Sequence, residues 1–444
     1  MTPSRDICVF TALLWLAFPS VAAVTVTVGS TDKQVLVGKI VTPDEVIDGK
    51  VVIEGETITC VAVDCEEPQG ASIFKVTKAF IFPGFVDAHN HVAYNVFPKW
   101  TPPKLYEHRS QWQAATAYTK FKAPYNELKK AALCEMVKYG EVKALISGVT
   151  TIQGTAPNSL CFRTLIRNAE NQNELDIPAG TIRTYILDVD TFKGKVDWTK
   201  TKSFVVHIAE GIDERARSEF DTLKQKGLLN GSTAIIHGTA LKEAEFEEMG
   251  SVGAKLIWSP QSNLVLYGRT TDIRLAYRHG VPVSLGVDWN ATGSDNLFDE
   301  LRVAATVNEE SLDEVIPPED WIKLVTVNPA RALGLEDQIG RLAPGLKADI
   351  VIVAGREDNP NQSLLLSRLQ DVQGVWVGGE LLYASRAVID KVKPGQCEAL
   401  TVHGSPKRIC VKDTKEPVAH SDQTLQQITD ILRAKLPSLA PLAP

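Results

Sequence analysis

Several short, largely apolar runs in this chain stop abruptly. Those at residues 204–206, 234–236 and 283–287 stop at a polar residue, and the run at residues 79–82 stops at Pro83 and Gly84. A run of this kind is typical of a strand that is buried on both faces, as in a parallel sheet. Helical segments are predicted at residues 126–147, 213–226, 242–249, 271–279, 295–308 and 318–333. Because strand-like and helical segments alternate, the pattern predicts an α/β protein with a parallel sheet.

Other stretches differ from this pattern. Residues 24–82 are rich in short strands separated by turns, which predicts a small β-layer. Residues 95–124 have no clear period but carry several aromatic side chains, so we interpret them as an extended loop that covers a site and call them the roof segment. The third and fourth parallel strands are predicted near residues 164–168 and 182–187, a stretch that is short for two full strand-helix repeats.

Polar residues at the ends of the apolar runs carry the candidate chemistry. His89 and His91 lie two positions apart, so in an extended strand their side chains share one face. His207 follows the run at 204–206, and Asp288 follows the run at 283–287. In a barrel of parallel strands, catalytic residues lie at these strand ends. Two histidines near one strand end would be weak evidence alone, but the four positions together predict a shared site.

Three imidazoles and one carboxylate suit a borderline divalent ion. The predicted ligands are His89, His91, His207 and Asp288, with Zn²⁺ as the favoured ion and Fe²⁺ as the alternative. An ion held by neutral imidazoles lowers the pKa of a bound water from 15.7 to about 7 and so supplies a nucleophile at ordinary pH.

The order of several motifs resembles the amidohydrolase superfamily, closest to its cytosine deaminase, guanine deaminase and triazine chlorohydrolase branch. Residues 83–91 resemble the family's first metal motif, and residues 207–210 resemble its H-x-x-E motif. Residues 258–264 are similar to the P-x-S-N segment of the family, and residues 327–335 and 339–349 match its C-terminal signature. Each motif is weakly specific, but all of them in this order are strong evidence.

The resemblance implies a TIM-like (β/α)₈ barrel with a small β-sandwich domain built from both chain ends. The barrel is expected over residues 84–339, and the two parts of the sandwich over residues 24–83 and 340–393. Residues 394–444 are expected to form a C-terminal appendage outside the family core.

The resemblance also assigns catalytic roles. Asp288 would contact the metal and accept the proton of the attacking water, and Glu210 would carry protons to a ring nitrogen or a leaving amine. His237 would polarise the reacting group or hold the nucleophile. The alternatives are structural: Glu210 as the acidic start of a helix, His237 as a core histidine and Asp288 as a turn cap. No catalytic role is assigned to the remaining histidines, His108, His279, His403 and His420.

Substrate contacts are predicted from positions just beyond strand ends. The candidates are Gln153, Trp289, Asn290 and Ser294, although core packing is an equal alternative for Trp289. A single metal is expected, because the predicted third and fourth strands contain no clear lysine that could bridge two metal ions.

The N-terminus and the cysteines predict export. Residues 1–23 combine Arg5, an apolar stretch and small residues before a cleavage point, which is typical of a signal peptide. Six cysteines remain after its removal, and short loops favour pairing Cys60 with Cys65 and Cys397 with Cys410. Cys134 and Cys161 are left either as a pair or as buried thiols. We therefore expect a secreted or periplasmic protein.

Composition excludes some partners. The 444 residues are 44% hydrophobic and carry a formal charge of −7, with no long basic run, so nucleic acid binding is not supported. No later stretch reaches the roughly 18 apolar residues of a membrane span, so stable membrane insertion is not expected. The expected partner is a small-molecule substrate. The sequence does not determine the oligomeric state and is compatible with a homo-oligomer.

The leading hypothesis is a metal-dependent hydrolase of a non-peptide carbon–nitrogen bond in a small cyclic or heteroaromatic compound, acting as a deaminase. One alternative is hydrolysis of a cyclic or peptide-like amide on the same metal site. Another is a non-catalytic metal or ligand binder, although a binder has no need of Glu210.

Overall fold

The computed structural model describes residues 23–154, 165–412 and 420–443, apart from the side chains of residues 173 and 174. The predicted signal peptide therefore lies outside the described residues except for Ala23, and Cys161 lies outside them as well. The described residues form an α/β structure with three sheets, two of them parallel.

Eighteen strands are present in the described residues. They are β1 (Ala23–Thr27), β2 (Ser30–Val41), β3 (Val46–Glu54), β4 (Thr57–Ala62), β5 (Ala71–Pro83), β6 (Phe85–Asn90), β7 (Val149–Gly154), β8 (Arg167–Asn168), β9 (Ile182–Tyr185), β10 (Ser203–Ile208), β11 (Thr233–His237), β12 (Lys255–Trp258), β13 (Val283–Leu285), β14 (Ile350–Ala354), β15 (Val372–Val377), β16 (Glu380–Ser385), β17 (Glu398–Val402) and β18 (Ser405–Ile409).

Helices connect most of the parallel strands. They are α1 (Arg109–Gln113), α2 (Thr116–Lys122), α3 (Tyr125–Leu145), α4 (Glu214–Gln225), α5 (Glu243–Val252), α6 (Pro260–Tyr267), α7 (Ile273–Arg278), α8 (Leu297–Ser311), α9 (Val327–Ala332), α10 (Pro360–Leu366), α11 (Arg386–Val392) and α12 (Leu425–Lys435).

The larger sheet joins the two ends of the chain. Its ten strands run in the order β17-β18-β16-β15-β14-β5-β2-β3-β4, with β1 paired to β5. The central contact pairs β5 with β14, and Ile81 lies opposite Ile352 in antiparallel register. Residues far apart in sequence thus meet in one sheet, as expected for the predicted β-layer.

The parallel strands β6 to β13 carry the candidate site. Strands β9 to β13 form one sheet in chain order, and β6 to β8 form another. The two sheets meet where Asn90 pairs with Asp288: the amide of Asp288 donates to the carbonyl of His89 at 2.9 Å, and the amide of His91 donates to the carbonyl of Asp288 at 2.6 Å. Within the described residues, β8 and β9 share no ladder. The stretch that the sequence shows to be short for two full strand-helix repeats is therefore where the described parallel strands are interrupted.

Two helical segments differ from what the sequence predicts. The helix expected near residues 318–333 is split, because Thr326 is non-helical and α9 begins one residue later, so that Pro329 falls in a first turn, where it needs no amide hydrogen bond. Helix α6, which begins with Pro260 at its first position, was not predicted.

The C-terminal residues are tied to the rest of the molecule. The β17–β18 hairpin extends the large sheet through β16, and α12 packs against α3. The hydroxyl of Tyr139 on α3 donates to the carbonyl of Ala440 at 2.5 Å. Disulfides join Cys60 to Cys65 and Cys397 to Cys410 as predicted, and Cys134 is also disulfide-bonded. No helix among the described residues has the length and apolar character needed to cross a membrane.

Candidate metal centre

The structure brings the four predicted metal ligands together at the ends of parallel strands. Asp288 Oδ1 lies 3.3 Å from His89 Nε2 and 3.4 Å from His91 Nε2. The ring centroids of His89 and His207 are 4.7 Å apart. The potential ligand atoms of His89, His91 and His207 lie within 4.8 Å of one another. These four side chains come from three separate strand ends, so only the fold assembles them.

Backbone conformation at these strand ends is unusual. His237 and Asp288 have φ values of +67° and +68°, and Ala209, which follows β10, has a φ of +56°. Side chains other than glycine adopt this left-handed region at a cost of roughly 1–3 kcal/mol, and such strain is concentrated at functional sites. The strain falls on two of the predicted catalytic residues, which is consistent with selection for side-chain direction over local stability.

Burial and mutual charge set the protonation of the cluster. Burial, together with the neighbouring His89, lowers the pKa of His91 to about 4. Burial and the other imidazoles hold the pKa of His207 well below its ordinary value. Burial alone would raise the pKa of Asp288, but its close contact and charge interaction with His89 hold it below its usual range. His91 and His207 are therefore neutral and Asp288 is ionised near pH 7, which are the forms that bind a metal ion.

Two ring nitrogens in the cluster have no hydrogen-bond partner. Among the described residues, His207 Nδ1 and His89 Nε2 are buried without one, although His89 Nε2 lies close to Asp288. A buried nitrogen without a partner is costly unless another group satisfies it. A divalent cation fits this donor set of imidazoles and one carboxylate.

Supporting residues fix the orientation of the ligands. Gln153 Oε1 lies 3.1 Å from His89 Nδ1, and Ser262 Oγ donates to Asp288 Oδ2 at 2.6 Å. Asn263 Oδ1 lies 2.9 Å from His237 Nδ1. An amide oxygen accepts the Nδ1 proton and leaves Nε2 free, as is usual for histidines in metal sites. Ser262 and Asn263 belong to the P-x-S-N segment, whose role was not predicted although the motif itself was visible.

Glu210 lies beside the cluster but is held differently. Its Oε1 accepts a hydrogen bond from the hydroxyl of Tyr267 at 2.7 Å. Its Oε2 is 3.8 Å from His237 Nε2 and 4.0 Å from a guanidinium nitrogen of Arg109. Glu210 is 4% exposed, and its carboxylate therefore faces the centre from within the protein.

The predicted substrate contacts are placed unevenly, and all four assignments stay predictions. Gln153 is fully buried and joins His89 to Glu170, with its Nε2 2.6 Å from Glu170 Oε1. Asn290 is buried, accepting from Lys143 Nζ at 2.8 Å and donating to the carbonyl of Phe97 at 2.7 Å. The described polar contacts of both residues are with protein groups, which favours a supporting role.

Trp289 and Ser294 have other surroundings. Trp289 belongs to a buried aromatic cluster and donates through Nε1 to Thr292 Oγ1 at 2.5 Å. Ser294 bonds to Glu300 and lines a groove of about 680 Å³. None of the four predicted metal ligands lines this groove, so it lies beside the centre and does not contain it.

The roof segment contributes aromatic side chains to a cluster beside the centre. The aromatic cluster comprises Trp100, Tyr106, Trp112, Tyr118, Leu266, Tyr267, Trp289 and Ala291. Four of these residues come from the roof segment, which contains α1 and α2 and is not one extended loop as predicted. Of the predicted metal ligands, only His91 is substantially accessible, with 21% of its side chain exposed.

Comparison with known proteins identifies relatives. Residues 197–382 match the model of the amidohydrolase family. The 5-methylthioadenosine/S-adenosylhomocysteine deaminase of Teredinibacter turnerae is 31% identical over 189 residues, which is 40% of this chain and 43% of that protein. The enzyme of the same name from Caldanaerobacter subterraneus is 21% identical over 393 residues, 78% of this chain and 91% of that protein.

A solved structure agrees with these relatives. The adenosine deaminase of Xanthomonas campestris with bound zinc superposes with a TM-score of 0.59 at 18% identity, covering 80% of this chain and 94% of that one. This likeness supports the fold. The family match and the relatives confirm the predicted resemblance to the amidohydrolase family and the prediction of a metal-dependent hydrolase.

Proposed function

We propose that this protein, which carries an amidohydrolase family domain over residues 197–382, deaminates a small heteroaromatic amine with the help of one divalent ion. The observation that carries the proposal is the convergence of His89, His91, His207 and Asp288 on one buried point, with Glu210 beside them. A non-catalytic binder has no use for a buried carboxylate in that position. His237 next to Glu210 completes a set with separate sites for metal binding and for proton transfer.

Each side chain has a role that follows from its contacts. A divalent ion at this site supplies an acidified water as the nucleophile. Asp288 is ionised and lies against two imidazoles, so it can accept the proton released from that water. Glu210 Oε2 makes no contact shorter than 3.8 Å with a described cationic group, which leaves it available to pass a proton to a ring nitrogen or a leaving amine.

His237 lies next to Glu210, with its Nε2 3.8 Å from Glu210 Oε2. Its Nδ1 faces the amide oxygen of Asn263, so the ring proton lies there and Nε2 faces the centre as an acceptor. In that state it holds a hydroxyl or amine group in place during attack.

For the substrate we propose an aminopurine, most simply an adenine nucleoside. The relatives named above are deaminases of 5-methylthioadenosine, S-adenosylhomocysteine or adenosine, and they match across much of this chain. The aromatic cluster contains rings of the kind on which a heteroaromatic ring stacks, and one of them, Trp289, directly follows Asp288. Zn²⁺ is the ion we favour, since the structural relative binds zinc, and Fe²⁺ suits the same donors.

We also propose the wider organisation predicted from the sequence. Strands β6 to β13 would form an irregular (β/α)₈ barrel over residues 84–339, supported by their chain order and by the junction at Asp288. Residues 24–83 and 340–393 would form the sandwich domain, with residues 394–444 as an appendage. Secretion or export to a periplasm after removal of residues 1–23 is supported by the disulfides Cys60–Cys65 and Cys397–Cys410.

The test combines metal analysis with a substrate screen. The purified protein should contain about one equivalent of zinc or iron and should release ammonia from an adenine nucleoside, with loss of the adenine absorbance band. Purines, pyrimidines, triazines and cyclic amides are screened in parallel. Ring opening without ammonia would point to the amide hydrolase alternative. Full activity after complete metal removal would contradict the proposal.

A further inference from the structure

We propose that Tyr267 is a positioning residue that fixes one oxygen of Glu210 and leaves the other oxygen to carry the proton. The inference rests on the proposed function, because it refines how Glu210 would act in the reaction. Neither Tyr267 nor its partner Trp112 lies in the motifs quoted from the sequence.

The first step is the contact itself. The hydroxyl of Tyr267 lies 2.7 Å from Glu210 Oε1, and both residues are almost completely buried. Among the described residues, this is the one side-chain hydrogen bond to the Glu210 carboxylate, because Arg109 and His237 are 4.0 and 3.8 Å from Oε2. The two carboxylate oxygens are therefore not equivalent.

The second step fixes the direction of the hydrogen bond. Trp112 Nε1 lies 2.8 Å from the Tyr267 hydroxyl, and an indole nitrogen can only donate. The hydroxyl therefore accepts from Trp112 and uses its own proton to donate to Glu210 Oε1. Burial and the adjacent Glu210 raise the pKa of Tyr267 well above its ordinary value, so this proton is retained.

The third step concerns Arg109, the alternative anchor for Glu210. Its guanidinium lies 3.0 Å from Glu219 and 2.8 Å from Asp188, so two other carboxylates already hold its position. This arrangement keeps Arg109 at a distance from Glu210 Oε2. The positive charge of Arg109 therefore lies near the Glu210 carboxylate without a direct hydrogen bond to Oε2, the oxygen that would transfer the proton.

The consequence is a link between the roof segment and proton transfer. Trp112 lies in α1 of the roof segment, and Tyr267 is the last residue of α6. The amide of Arg109 also donates to the carbonyl of Glu210 at 3.2 Å, and Ile212 donates to the carbonyl of Glu107 at 2.7 Å. The roof segment therefore has to be seated on the loop after β10 for Glu210 to take up the described orientation.

The experiment compares Tyr267→Phe with Tyr383→Phe in the full-length protein. Tyr383 lies in β16 of the large sheet, away from the site, and its buried hydroxyl has no hydrogen-bond partner among the described residues. We expect Tyr267→Phe to lower kcat by about 10- to 100-fold, the size typical of losing a residue that orients a reacting group. KM should stay within about threefold and the metal content should be unchanged, while Tyr383→Phe should match the parent protein.

A second readout does not depend on turnover. In the metal-free protein, Tyr267→Phe should lower the Tm by a few degrees, because the buried Glu210 carboxylate loses its hydrogen bond, whereas Tyr383→Phe should not. Trp112→Phe, which removes the donor to Tyr267 and part of the ring that packs against Tyr118 and Trp289, should lower kcat by less than Tyr267→Phe. This variant also serves as the test if Tyr267→Phe does not fold.

Two results would overturn the inference, and they are distinguishable from failure of the proposed function. A kcat for Tyr267→Phe within twofold of that for Tyr383→Phe, with Glu210→Gln inactive, would remove the role of Tyr267 alone. Full activity of Glu210→Gln would remove Glu210 as the proton carrier, and the inference would fall with it.

Discussion

The floor and the roof of the candidate site are held by different forces. The floor, defined as His89, His91, His207, His237 and Asp288, lies at the ends of hydrogen-bonded parallel strands. The roof segment, residues 95–124, is held by aromatic packing and a few backbone bonds, such as the 2.8 Å bond from the amide of Tyr106 to the carbonyl of Leu266. Ladders and charged hydrogen bonds allow little variation in position, whereas packed rings tolerate change.

This difference suggests a division of labour. The floor fixes the reaction, because metal ligands have to keep their distances and orientations. We expect the roof to determine which compound fits, because Trp112 and Tyr118 pack against Trp289, the residue that follows Asp288. Floor variants should therefore change metal content and kcat, and roof variants should change KM.

Loss of Asp288 should have the largest effect. Asp288→Ala removes a predicted metal ligand and the predicted proton acceptor, so turnover should fall by about 10⁴-fold or more, with weaker metal retention. Metal content after gel filtration and the initial rate of ammonia release would check this. Asp295→Ala is the matched control, since Asp295 is a partly exposed carboxylate in the same loop that pairs with Lys99 at 3.2 Å. If Asp288→Ala retained as much metal as the parent, the assignment of Asp288 as a metal ligand of the floor would be wrong.

Removal of a support behind the floor should have an intermediate effect. Ser262→Ala deletes the hydroxyl that donates to Asp288 Oδ2 at 2.6 Å, and the structure offers the neighbouring Thr292 hydroxyl 3.1 Å from Ser262. We expect metal affinity to fall by about 10- to 100-fold. Competition with a chelator measures this directly. Ser251→Ala, which removes an exposed hydroxyl on α5, is the control, and equal affinities for the two variants would show that Asp288 needs no support.

Sequence reasoning reached the floor because its signals are local. The two-residue spacing of His89 and His91, and a polar residue after each apolar run, are visible without knowledge of any contact. The structure adds what no local pattern contains, such as Ser262 reaching Asp288 across 26 positions. The positive φ of His237 and Asp288 was also hidden, since neither residue type requires it.

The roof was predicted only as a covering segment, for a related physical reason. Its two short helices have no amphipathic period, and their burial depends on rings from distant segments, such as Trp112 beside Trp289 with centroids 6.0 Å apart. Local propensity does not determine an element whose stability comes from tertiary packing. The large sheet was easier, because β5 and β14 are continuous strand-like runs in the sequence.

A buried lysine that is linked to the roof segment through Asn290 should make stability depend on pH. Burial lowers the pKa of Lys143 to about 8, while its Nζ donates to Asn290, which also bonds to Phe97. The unfolded chain binds this proton up to about pH 10.4, so it holds more protons than the folded state between about pH 8 and 10.4. Stability should therefore rise with pH across that window and be unaffected by this group below it.

Comparison of the parent with Lys143→Met isolates this contribution. Denaturant unfolding of the metal-free proteins from pH 7 to 10.5 should show a difference that changes by roughly 1–3 kcal/mol across the window. Lys407→Met is the control, because burial lowers the pKa of Lys407 to about 8 as well, but its Nζ donates to carbonyls of the large sheet. In both variants the free energy of unfolding should depend less on pH than in the parent. Only Lys143→Met should also raise KM.

The smallest effect is expected from a conservative change in a ring that packs against the roof segment. Trp289 contacts the rings of Tyr94, Trp112 and Tyr118, with centroids 5.6 to 6.0 Å away. Trp289→Phe keeps an aromatic ring but loses part of this packing, and aromatic pairs are worth about 0.5–1.5 kcal/mol. KM should therefore rise by about two- to tenfold, with kcat and metal content nearly unchanged.

A tryptophan outside the site separates this effect from general destabilisation. Trp376 in β15 is equally buried and donates through Nε1 to Gln34 at 2.9 Å, so Trp376→Phe removes a comparable ring and hydrogen bond from the large sheet. Its Tm should fall as much as that of Trp289→Phe, while its KM should match the parent. If Trp289→Phe instead lost metal, the roof would be supporting the floor, because Trp289 directly follows Asp288 in the chain. The division between a floor that fixes the reaction and a roof that fixes the substrate would then have to be abandoned.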